Sequence, residues 1–501
     1  MKELFLFVRP PRPLWPFNGP SSAFWPPLAF ASLAAMLRQE IRDLQVEILD
    51  APALQMGWRT LEREIRLRNP AYVGIGEEAV SCVEGLRLAA IAKANQARVI
   101  AGGCFFAHVA SEALQSGLID VVVQGEGEYT VVELVEALRS GSAQDLGRVA
   151  GISYVSGGVV VRTPPRQPVP DLDNLPFPAY DLLPVARYGA ASRNHPRLAA
   201  IELGRGCVGS CDFCVLWRQM GRFVGDQVVP CLRTKSPARL LEEIRVLVKR
   251  YDRRYLGWVD PCFNAHPKVP GEVAELMLRE GLRIGQSAWV RADGIVRDAA
   301  AGALESCVRA GLNELYLGIE RPNQASLRAL GKNLDLDQVR TAMRILQREF
   351  PEVCAIGSFI YGLPGDTPAT IRAIHRFAVE LGLDQFFFIP LTPLPGTTRW
   401  RPELWDPTGQ RFRRFGFLPA GPGGGTQARL ERALMWSILF DWYPARVRVF
   451  CRRLFGAHSR KRRINWHLIG RAVHFHLASI MRRWRVGPDT GGLILPAWYD
   501  R

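Results

Sequence analysis

Three features are missing from this chain of 501 residues. It has no uninterrupted run of about eighteen apolar residues, so the sequence predicts no membrane-spanning helix. Its first residues, MKELFLFVRP, lack the charged, apolar and cleavable segments of a secretory signal. Its ten cysteines are too scattered to suggest a disulfide framework. Together these absences predict a cytoplasmic protein whose thiols stay reduced.

The composition is that of a globular protein with an uneven distribution of charge. Apolar residues make up 48% of the chain, and the length suggests about three domains of ordinary size. The formal net charge is +16. From Arg401 to the end, nineteen Lys or Arg face six Asp or Glu, so this last fifth carries +13 of that charge. The tail is therefore the part of the chain best suited to an anionic partner.

The most informative stretch is GRGCVGSCDFCVLW, which places Cys207, Cys211 and Cys214 at C-x3-C-x2-C spacing. A short loop with several glycines can turn tightly enough to bring three thiolates to one cubane iron-sulfur cluster. Structural clusters normally have four protein ligands, so a trio predicts an open iron that binds an exchangeable ligand. The alternative is a zinc site, which would need a fourth ligand such as Cys231.

Residues 1–150 alternate short β-rich runs with helical patterns, which is typical of a parallel sheet covered by helices. Ligands of such sheets bind beyond the carboxyl ends of the strands. At those points the sequence has a Pro-rich loop, a Gly-Gly pair and a GEGE motif. The predicted strands are Glu3–Val8, Val46–Leu49, Tyr72–Ile75, Arg98–Ala101 and Asp120–Val123, and the predicted helices are Pro27–Gln39, Val83–Asn95 and Thr130–Ser140.

The rest of the chain divides into three predicted segments. Residues 151–196 form a connector with a hairpin around Gly157-Gly158 and many prolines, which exclude a long helix. Residues 197–400 predict a partial βα barrel in which the cysteine loop follows the first strand, where active sites of such barrels lie. Residues 401–501 predict basic, aromatic helices. The predicted barrel strands are Ala199–Leu203, Tyr255–Val259, Gly285–Val290, Glu314–Ile319, Cys354–Ile360 and Gln385–Pro390.

The cysteine loop resembles the signature of the radical S-adenosylmethionine superfamily. The N-terminal segment resembles the cobalamin-binding domain of one large subclass, with matching pieces in the same order: RPP at 9–11, WPPLAFASLAAML at 25–37, Asp50, VGIGEEA at 73–79, the Gly-Gly pair and GEGE. The resemblance spans residues 1–400. It implies an α/β chain with a doubly wound, Rossmann-like cobalamin-binding domain (1–150), a partial βα, TIM-like radical SAM barrel (197–400) and a C-terminal basic helical region.

This resemblance implies that a 4Fe-4S cluster on the three cysteines chelates S-adenosylmethionine at its open iron, and that one electron then releases a 5′-deoxyadenosyl radical. Cys207, Cys211 and Cys214 are thus the expected catalytic and metal-binding residues. Asp260, Arg291 and Glu320 follow barrel strands, and an exposed Glu320–Arg321 ion pair is the alternative. In GSFIYGLPGDT, Asp366 replaces the customary Glu and is expected to change a helix-capping contact. The expected S-adenosylmethionine contacts are Phe213, Arg291, Gly318, Glu320 and Gly362.

The same resemblance implies cobalamin as the third cofactor. The chain lacks the D-x-H-x-x-G stretch by which some cobalamin domains supply a histidine to cobalt, and Phe105 stands two positions after the Gly-Gly pair. We therefore expect no protein histidine on cobalt, with His108 as the alternative ligand. The expected cobalamin contacts are Gly102, Gly103, Gly125, Glu126 and Gly127.

Most members of this subclass transfer methyl groups to unactivated carbons, with cobalamin as the methyl carrier. The resemblance therefore implies a C-methyltransferase, and an arginine-rich, aromatic pocket would suit an apolar or carboxylate-bearing small molecule of tetrapyrrole or lipid type. The ending LTPLPGT at 391–397 also resembles the anaerobic magnesium-protoporphyrin monomethyl ester cyclase, so oxidation or cyclisation is an alternative. An alternative of another class is a non-enzymatic, membrane-docking iron-sulfur protein.

The tail and the redox chemistry suggest further partners. Reduction of the cluster would need an electron donor such as flavodoxin or ferredoxin. The amphipathic tail has three interpretations: it covers the barrel mouth, it lies on the anionic surface of the inner membrane, or it attracts nucleic acid. No second cysteine trio of the kind found in methylthiolating relatives that act on transfer RNA is present, and we expect no nucleic-acid partner. His467, His474 and His476 are expected to pack or face solvent rather than bind metal.

Overall fold

The computed structural model describes residues 3–12, 25–190, 192–406, 426–467, 469–470 and 498–501. Within these ranges the chain forms two largely parallel sheets covered by helices. A connector with short 3-10 turns joins the two sheets, and the tail helices follow the second. None of the helices in these ranges is long and apolar enough to cross a membrane.

The first sheet has seven strands in the order β2-β1-β3-β4-β5-β6-β7. The first five are parallel, and their order places a topological switch point between β1 and β3. β1 and β3 are buried along their whole length, which explains their unbroken apolar sequences. The strands are β1 Leu4–Arg9, β2 Gln45–Asp50, β3 Tyr72–Ile75, β4 Arg98–Ala101, β5 Val121–Val123, β6 Ile152–Ser156 and β7 Val159–Arg162.

Helices cover both faces of this sheet, and a hairpin extends its edge. Strands β6 and β7 pair antiparallel with each other, and β6 pairs with β5. The predicted hairpin therefore belongs to the first sheet, although the sequence alone assigned it to the connector. The helices are α1 Leu28–Glu40, α2 Ala51–Leu54, α3 Trp58–Arg68, α4 Cys82–Ala94, α5 Gly103–Phe106, α6 Ala110–Gln115, α7 Glu128–Ser140 and α8 Ala143–Arg148.

The second sheet is a partial barrel of six parallel strands in the order β17-β16-β15-β14-β13-β8. Each strand lies beside the next strand of the same sheet along the chain. Because all six are parallel, their carboxyl ends meet at one mouth. Two small antiparallel pairs, β9–β12 and β10–β11, flank the loop after the first barrel strand. The strands are β8 Leu198–Ile201, β9 Gly204–Gly206, β10 Arg222–Val224, β11 Gln227–Val229, β12 Leu232–Thr234, β13 Tyr255–Trp258, β14 Gly285–Val290, β15 Leu312–Glu320, β16 Cys354–Tyr361 and β17 Gln385–Pro390.

The barrel helices lie outside the strands, and apolar side chains on their inner faces join the main core. Residues Val246–Arg250 continue α10 as a π-helix. The barrel helices are α9 Leu216–Gln219, α10 Pro237–Arg245, α11 Val269–Arg279, α12 Ala292–Ala300, α13 Ala303–Ala310, α14 Gln324–Arg328, α15 Leu336–Arg348 and α16 Pro368–Glu380. The tail helices are α17 Thr426–Phe440 and α18 Pro444–Phe455.

The described tail helices pack against the side and lower end of the barrel. On α17, Ser437 Oγ lies 2.8 Å from His375 Nδ1 of α16. In the helical stretch 459–467, Arg460 lies 3.7 Å from the buried carboxylate of Glu314, near the start of β15. Packing of the tail on the barrel, one of the three interpretations, is therefore present in the described residues. The first half of α17 also reaches the mouth end of β16, where Glu431 forms a hydrogen bond with Tyr361. His467 is helical, whereas His474 and His476 lie outside the described residues.

Candidate functional site

The loop after β8 brings three cysteines to one cavity at the mouth of the barrel. Cys207, Cys211 and Cys214 all line this cavity, which has a volume of about 420 Å³. The main-chain N–H of Gly209 donates to Cys207 Sγ at 3.4 Å. A Cβ on Gly209 would lie 3.8 Å from Cys207 Sγ and 3.9 Å from Cys211 Sγ, so this glycine lies directly beside two of the thiols. We call this space the cysteine cavity.

The residues that lead into the cysteine loop are held in place by two contacts. At Gly206 the backbone has φ +94°, and a Cβ would collide with the carbonyl oxygen of Cys231 next to β12, so the position requires glycine. The buried carboxylate of Asp260 accepts hydrogen bonds from Leu203 N at 3.1 Å and Gly204 N at 2.6 Å. Burial raises the pKa of Asp260 to about 7, and the two N–H donors oppose that rise. The backbone that leads into the cysteine loop therefore has a fixed position.

Four cysteines, the predicted three and Cys262, border the cysteine cavity. In the part of the chain that the structure describes, no three His, Cys, Asp or Glu side chains lie close enough together to hold one metal ion. Cys231, the suggested fourth zinc ligand, does not line the cavity, whereas Cys262, which the sequence analysis did not single out, does. Burial raises the pKa of the Cys211 thiol to about 11 and also raises that of Cys214. Such thiols ionise when they coordinate a metal.

Glu320 ends β15 with an uncommon backbone conformation, φ +67°, beside a register shift in its pairing with β16. A non-glycine residue in this region is typical of functional sites. The buried Glu320 carboxylate lies 3.3 Å from Lys332 Nζ, and both side chains line the cysteine cavity. A Cβ on Gly318 would lie 2.6 Å from Glu320 Oε1 and 2.9 Å from Lys332 Nζ, so glycine makes room for the pair. Sequence reasoning missed Lys332 because a single lysine in a turn carries no periodic signal.

Arg291 and Phe213 also border the cysteine cavity. Arg291 follows β14, and its Nη2 donates to Asp293 Oδ2 and to the carbonyl oxygen of Asn333, both at 2.8 Å. Its Nη1 lies 3.7 Å from the space that a Cβ on Gly209 would fill, so the guanidinium faces the cysteine loop. Phe213 lines the same cavity and also packs against an apolar group that includes Leu330, Ile360, Leu363 and Leu391.

Gly362, a predicted S-adenosylmethionine contact, is not among the residues that line the cysteine cavity. Asp366, in the same turn, does not have the helix-capping role that the sequence suggested. Asp366 Oδ2 accepts hydrogen bonds from Gly362 N at 2.7 Å and Leu363 N at 2.9 Å. Both Asp366 oxygens pair with Arg321, at 2.6 and 2.9 Å. Thr367, not Asp366, caps the helix that follows. The exposed Glu320–Arg321 ion pair is therefore absent: each of these two residues is buried and has a different partner.

A second cavity of about 470 Å³ lies at the carboxyl ends of the first sheet. It contains the switch point between β1 and β3, where ligands of doubly wound sheets bind. Gly103 has φ +78°, and a Cβ there would touch the backbone of Gly76, so the loop ends approach closely. Gly102, Gly103, Gly125, Glu126 and Gly127, the predicted cobalamin contacts, all line this cavity. We call it the glycine cavity.

The GEGE motif also joins the two sheets through buried charges. Glu126 accepts hydrogen bonds from Arg233 of β12 at 2.7 and 3.0 Å. Arg205 of β9, just before the cysteine loop, donates to Glu128 at 2.6 Å and to Glu202 at 3.0 Å. Each of these side chains is largely buried. The Glu126 carboxylate thus already has protein partners, while its residue still borders the glycine cavity.

His108, the alternative cobalt ligand, does not line the glycine cavity. Its ring packs against Gly396 of the LTPLPGT segment, where a Cβ would lie 2.5 Å from the imidazole. Burial and the nearby Arg218 lower the pKa of His108 to about 4. The histidine therefore serves as a neutral packing group between the first sheet and the barrel.

The two cavities meet at Val259, which follows β13 and is the one residue that lines both among the described residues. A ligand in the glycine cavity and a ligand in the cysteine cavity would therefore face each other across this residue. Sequence reasoning did not single out Val259, because an apolar residue at a strand end has no chemical signature.

Comparisons with known proteins agree with this arrangement. The model of the radical SAM superfamily matches residues 201–378, and that of the B12 binding domain matches residues 17–135. An uncharacterised methyltransferase of Pyrococcus horikoshii is 31% identical over 382 residues, covering 75% of this chain and 78% of its own. The anaerobic magnesium-protoporphyrin IX monomethyl ester cyclase of Rubrivivax gelatinosus is 27% identical over 398 residues, covering 78% of this chain and 68% of its own.

A solved structure supports the fold. The radical S-adenosylmethionine methyltransferase TsrM of Kitasatospora setae, with cobalamin and a [4Fe-4S] cluster bound, superposes with a TM-score of 0.62 at 18% identity. The match covers 80% of this chain and 77% of that one. At this identity the likeness is one of fold, and it includes both the doubly wound sheet and the partial barrel.

Proposed function

This chain belongs to the radical SAM superfamily, in the group that also carries a B12-binding domain, and we propose that it transfers a methyl group to an unactivated carbon of a small molecule. It is an enzyme of the methyltransferase type that depends on a 4Fe-4S cluster, S-adenosylmethionine and cobalamin. The observation that carries the proposal is the meeting of the glycine and cysteine cavities at Val259. A substrate held there would lie between the two cofactors.

The residues of the cysteine cavity suit the roles that this chemistry needs. When bound, the cluster supplies the electron that cleaves S-adenosylmethionine, and cobalamin carries the methyl group. Cys207, Cys211 and Cys214 would hold the cluster. The Glu320–Lys332 pair and Arg291 offer charges of both signs, which suits the amino and carboxylate groups of S-adenosylmethionine. Because these side chains are already paired, they would position the cofactor without a large rearrangement.

The walls of the cysteine cavity indicate the substrate class. They are mostly apolar, and the charged groups are concentrated beside the cysteine loop. We therefore propose a substrate with an apolar body, of tetrapyrrole or lipid type, whose carboxylate, if present, would reach Arg291. Apolar side chains of this wall include Phe213, Trp217, Val259, Trp289, Ile389 and Leu391.

We also propose that the cobalamin-binding unit ends near Arg162, not at residue 150, because β6 and β7 complete its sheet. The connector then runs to residue 196 and the barrel unit from 197 to 400, with the basic tail after it.

An electron donor such as flavodoxin or ferredoxin would reduce the cluster, since S-adenosylmethionine cleavage consumes one electron. The sheet topology supports the proposed boundary, and the electron that the cleavage consumes supports the proposed donor.

A membrane contact through the tail is a further part of the proposal. Trp436 and Phe440 of α17 are 63% and 61% exposed, and Phe455 of α18 is 69% exposed. The opposite face of α17 packs on α16 through Leu430 and Ser437, so the exposed aromatic residues are not needed for that packing. Exposed aromatic residues beside arginines are typical of helices that lie on anionic bilayers. We place this contact on the cytoplasmic face of the inner membrane.

Vesicle flotation tests the membrane contact. The full chain should float with vesicles of 70% phosphatidylcholine and 30% phosphatidylglycerol, and less with phosphatidylcholine alone. The double variant W436S/F440S should lose most of this binding, whereas L67S, which changes an exposed leucine on α3, should not. Equal binding of the double variant and the wild type would refute the contact.

Anaerobic reconstitution tests the reaction itself. The protein is loaded with iron, sulfide and cobalamin, reduced with S-adenosylmethionine and candidate substrates, and analysed for 5′-deoxyadenosine and S-adenosylhomocysteine. Both products together, absent from C214S, are expected for methyl transfer. Deoxyadenosine without S-adenosylhomocysteine would instead favour cyclisation or oxidation, the activity class of the Rubrivivax relative. Neither product from a protein with a verified cluster and a range of apolar substrates would contradict the proposal.

A further inference from the structure

Trp25, in the loop between β1 and α1, reaches into the lumen of the barrel. In β13, Leu256 and Trp258 belong to the main core, and the alternate residues Tyr255, Gly257 and Val259 face the other side of the sheet. A Cβ on Gly257 would overlap the six-membered ring of Trp25. An indole ring from the cobalamin-binding unit therefore packs inside the barrel unit. The absence of a side chain at Gly257 provides the space for this ring.

Buried residues hold the backbone of Trp25 in place. Arg9, at the end of β1, donates from Nη1 to the carbonyl oxygen of Trp25 at 2.7 Å. The same guanidinium lies 3.5 Å from Asp50, at the end of β2, and Asp50 accepts a hydrogen bond from the Tyr188 hydroxyl at 2.8 Å. Arg9, Asp50 and Tyr188 are all buried. The RPP segment and Asp50, singled out in the sequence, thus act together to position this tryptophan.

Residues close to Trp25 line both cavities, although Trp25 itself is not among the residues that line either of them. The next residues of the chain, Pro26, Leu28 and Ala29, line the glycine cavity. On the other side, Val259 lies on the same strand face as Gly257, two residues further along, a separation of about 6.6 Å. Val259 borders both cavities. The Trp25 side chain is only partly buried, so protein atoms do not cover the whole residue.

We infer that Trp25 forms a wall of the substrate space between the two cofactor cavities, and that its contact with Gly257 sets the depth of that space. This inference rests on the proposed function, because it takes the meeting point of the cavities as the place of the substrate. A large rigid ring held from its backbone gives a fixed, flat, apolar surface. Such a surface would favour apolar, planar groups and limit how far they enter the barrel. Trp25 is thus a specificity-determining residue.

The test uses indole as the probe and the holoenzyme with measured cobalamin and iron content. Trp25→Ala leaves a space of indole size, and apolar cavities made in this way bind small aromatic molecules. W25A should therefore bind indole saturably in equilibrium dialysis, with a rise in Tm, and the wild type should not. A second substitution, Val259→Phe, should weaken indole binding to W25A by about tenfold or more, because the larger ring enters the same space. W436A, which removes an exposed tryptophan, is the matched control and should bind no indole.

Three results would overturn the inference. They are the absence of indole binding by a W25A protein that retains both cofactors, binding that V259F leaves unchanged, and equal binding by W436A. If W25A loses its cofactors, Gly257→Ala provides the second test. G257A alone should lower Tm because its methyl group meets the indole, and W25A/G257A should have a Tm no lower than W25A alone. If the Tm decreases of W25A and G257A simply add in the double variant, the Trp25–Gly257 contact is refuted.

These readouts do not depend on turnover. If indole binds as expected but neither 5′-deoxyadenosine nor S-adenosylhomocysteine is formed, the wall stands and the proposed reaction fails. If both products are formed but V259F does not affect indole binding, the reaction stands and the wall fails.

Discussion

Asp366 holds a buried turn at the end of β16, and its replacement by Asn tests how much that turn depends on charge. The carboxylate accepts two backbone hydrogen bonds, from Gly362 and Leu363, and a bidentate pair from Arg321. The side chains of Arg321 and Asp366 are only 2% and 4% exposed. Asn has nearly the same shape, but it is neutral and only one of its terminal atoms accepts hydrogen bonds. In D366N, Arg321 would therefore be buried without a counter-charge.

The size of the effect follows from this burial. Removing one partner of a buried ion pair costs about 3–5 kcal/mol. A unit of about 200 residues, such as the barrel, has an unfolding entropy of about 0.4 kcal/mol per kelvin. A loss of about 4 kcal/mol should therefore lower the Tm of the barrel transition by about 10 °C. The turn also carries Leu363, which packs near Phe213, so weaker S-adenosylmethionine binding should accompany the loss.

Differential scanning calorimetry of the wild type and D366N measures this change directly. The matched control is D337N, because Asp337 pairs with Arg340 at 2.9 Å but both side chains are exposed. This control should change the free energy of unfolding by no more than about 0.5 kcal/mol. D366E, the residue customary in the family, restores the charge and should recover part of the stability. If the Tm of D366N lies within about 2 °C of the Tm of D337N, the buried ion pair does not contribute the stability worked out above.

Three further predictions concern the cluster, the lower end of the barrel and the contact between the sheets. C231S should keep the iron content of the wild type after reconstitution, whereas C214S should lose most of it; equal losses would restore Cys231 as a ligand. Burial alone would raise the pKa of Glu314, but His195 and its other partners hold it below the ordinary value of 4.5. This carboxylate therefore stabilises the fold above pH 4.5 and ceases to do so as the pH falls through its lowered pKa. Urea unfolding should show E314Q less stable than the wild type at pH 7, with a smaller difference near pH 4, and a constant difference would contradict this. R205Q leaves the carboxylates of Glu128 and Glu202 without their guanidinium partner, so it should lower the Tm and the amount of cobalamin retained after gel filtration. If neither quantity changes, this network is dispensable.

The fold was largely predictable because its strands carry strong local signals. Every predicted strand of both sheets is present, with ends within two residues of those observed. Buried parallel strands have apolar residues on both faces, so they stand out as short unbroken runs between polar helices. The predicted helices Pro27–Gln39, Val83–Asn95 and Thr130–Ser140 agree equally well. Helix α3 was missed because charged residues dominate its sequence, WRTLEREIRLR.

The grouping of candidate site residues at one cavity was predictable only where chemistry and spacing coincide. The cysteine trio, Arg291, Gly318 and Glu320 lie at strand ends, and parallel strands bring such ends to one mouth. Lys332 lies twelve positions after Glu320 in a turn, and nothing in the intervening sequence indicates that the chain folds back. The roles of Arg321 and Asp366 were misjudged for a related reason, since the partner of a charge depends on which loops pack together.

The amino-acid sequence by itself determined the two parallel sheets, the order of their strands along the chain and the presence of a cluster loop at the first barrel strand. These features depend on apolar runs, glycines and cysteine spacing, which act over a few residues. Only the tertiary structure decided that the two cavities meet at Val259, that Trp25 crosses from one unit into the other, and that the described tail helices pack on the side and lower end of the barrel. Those facts depend on how separate units pack against each other, and packing is decided by the shapes and charges of surfaces whose residues lie far apart in the chain.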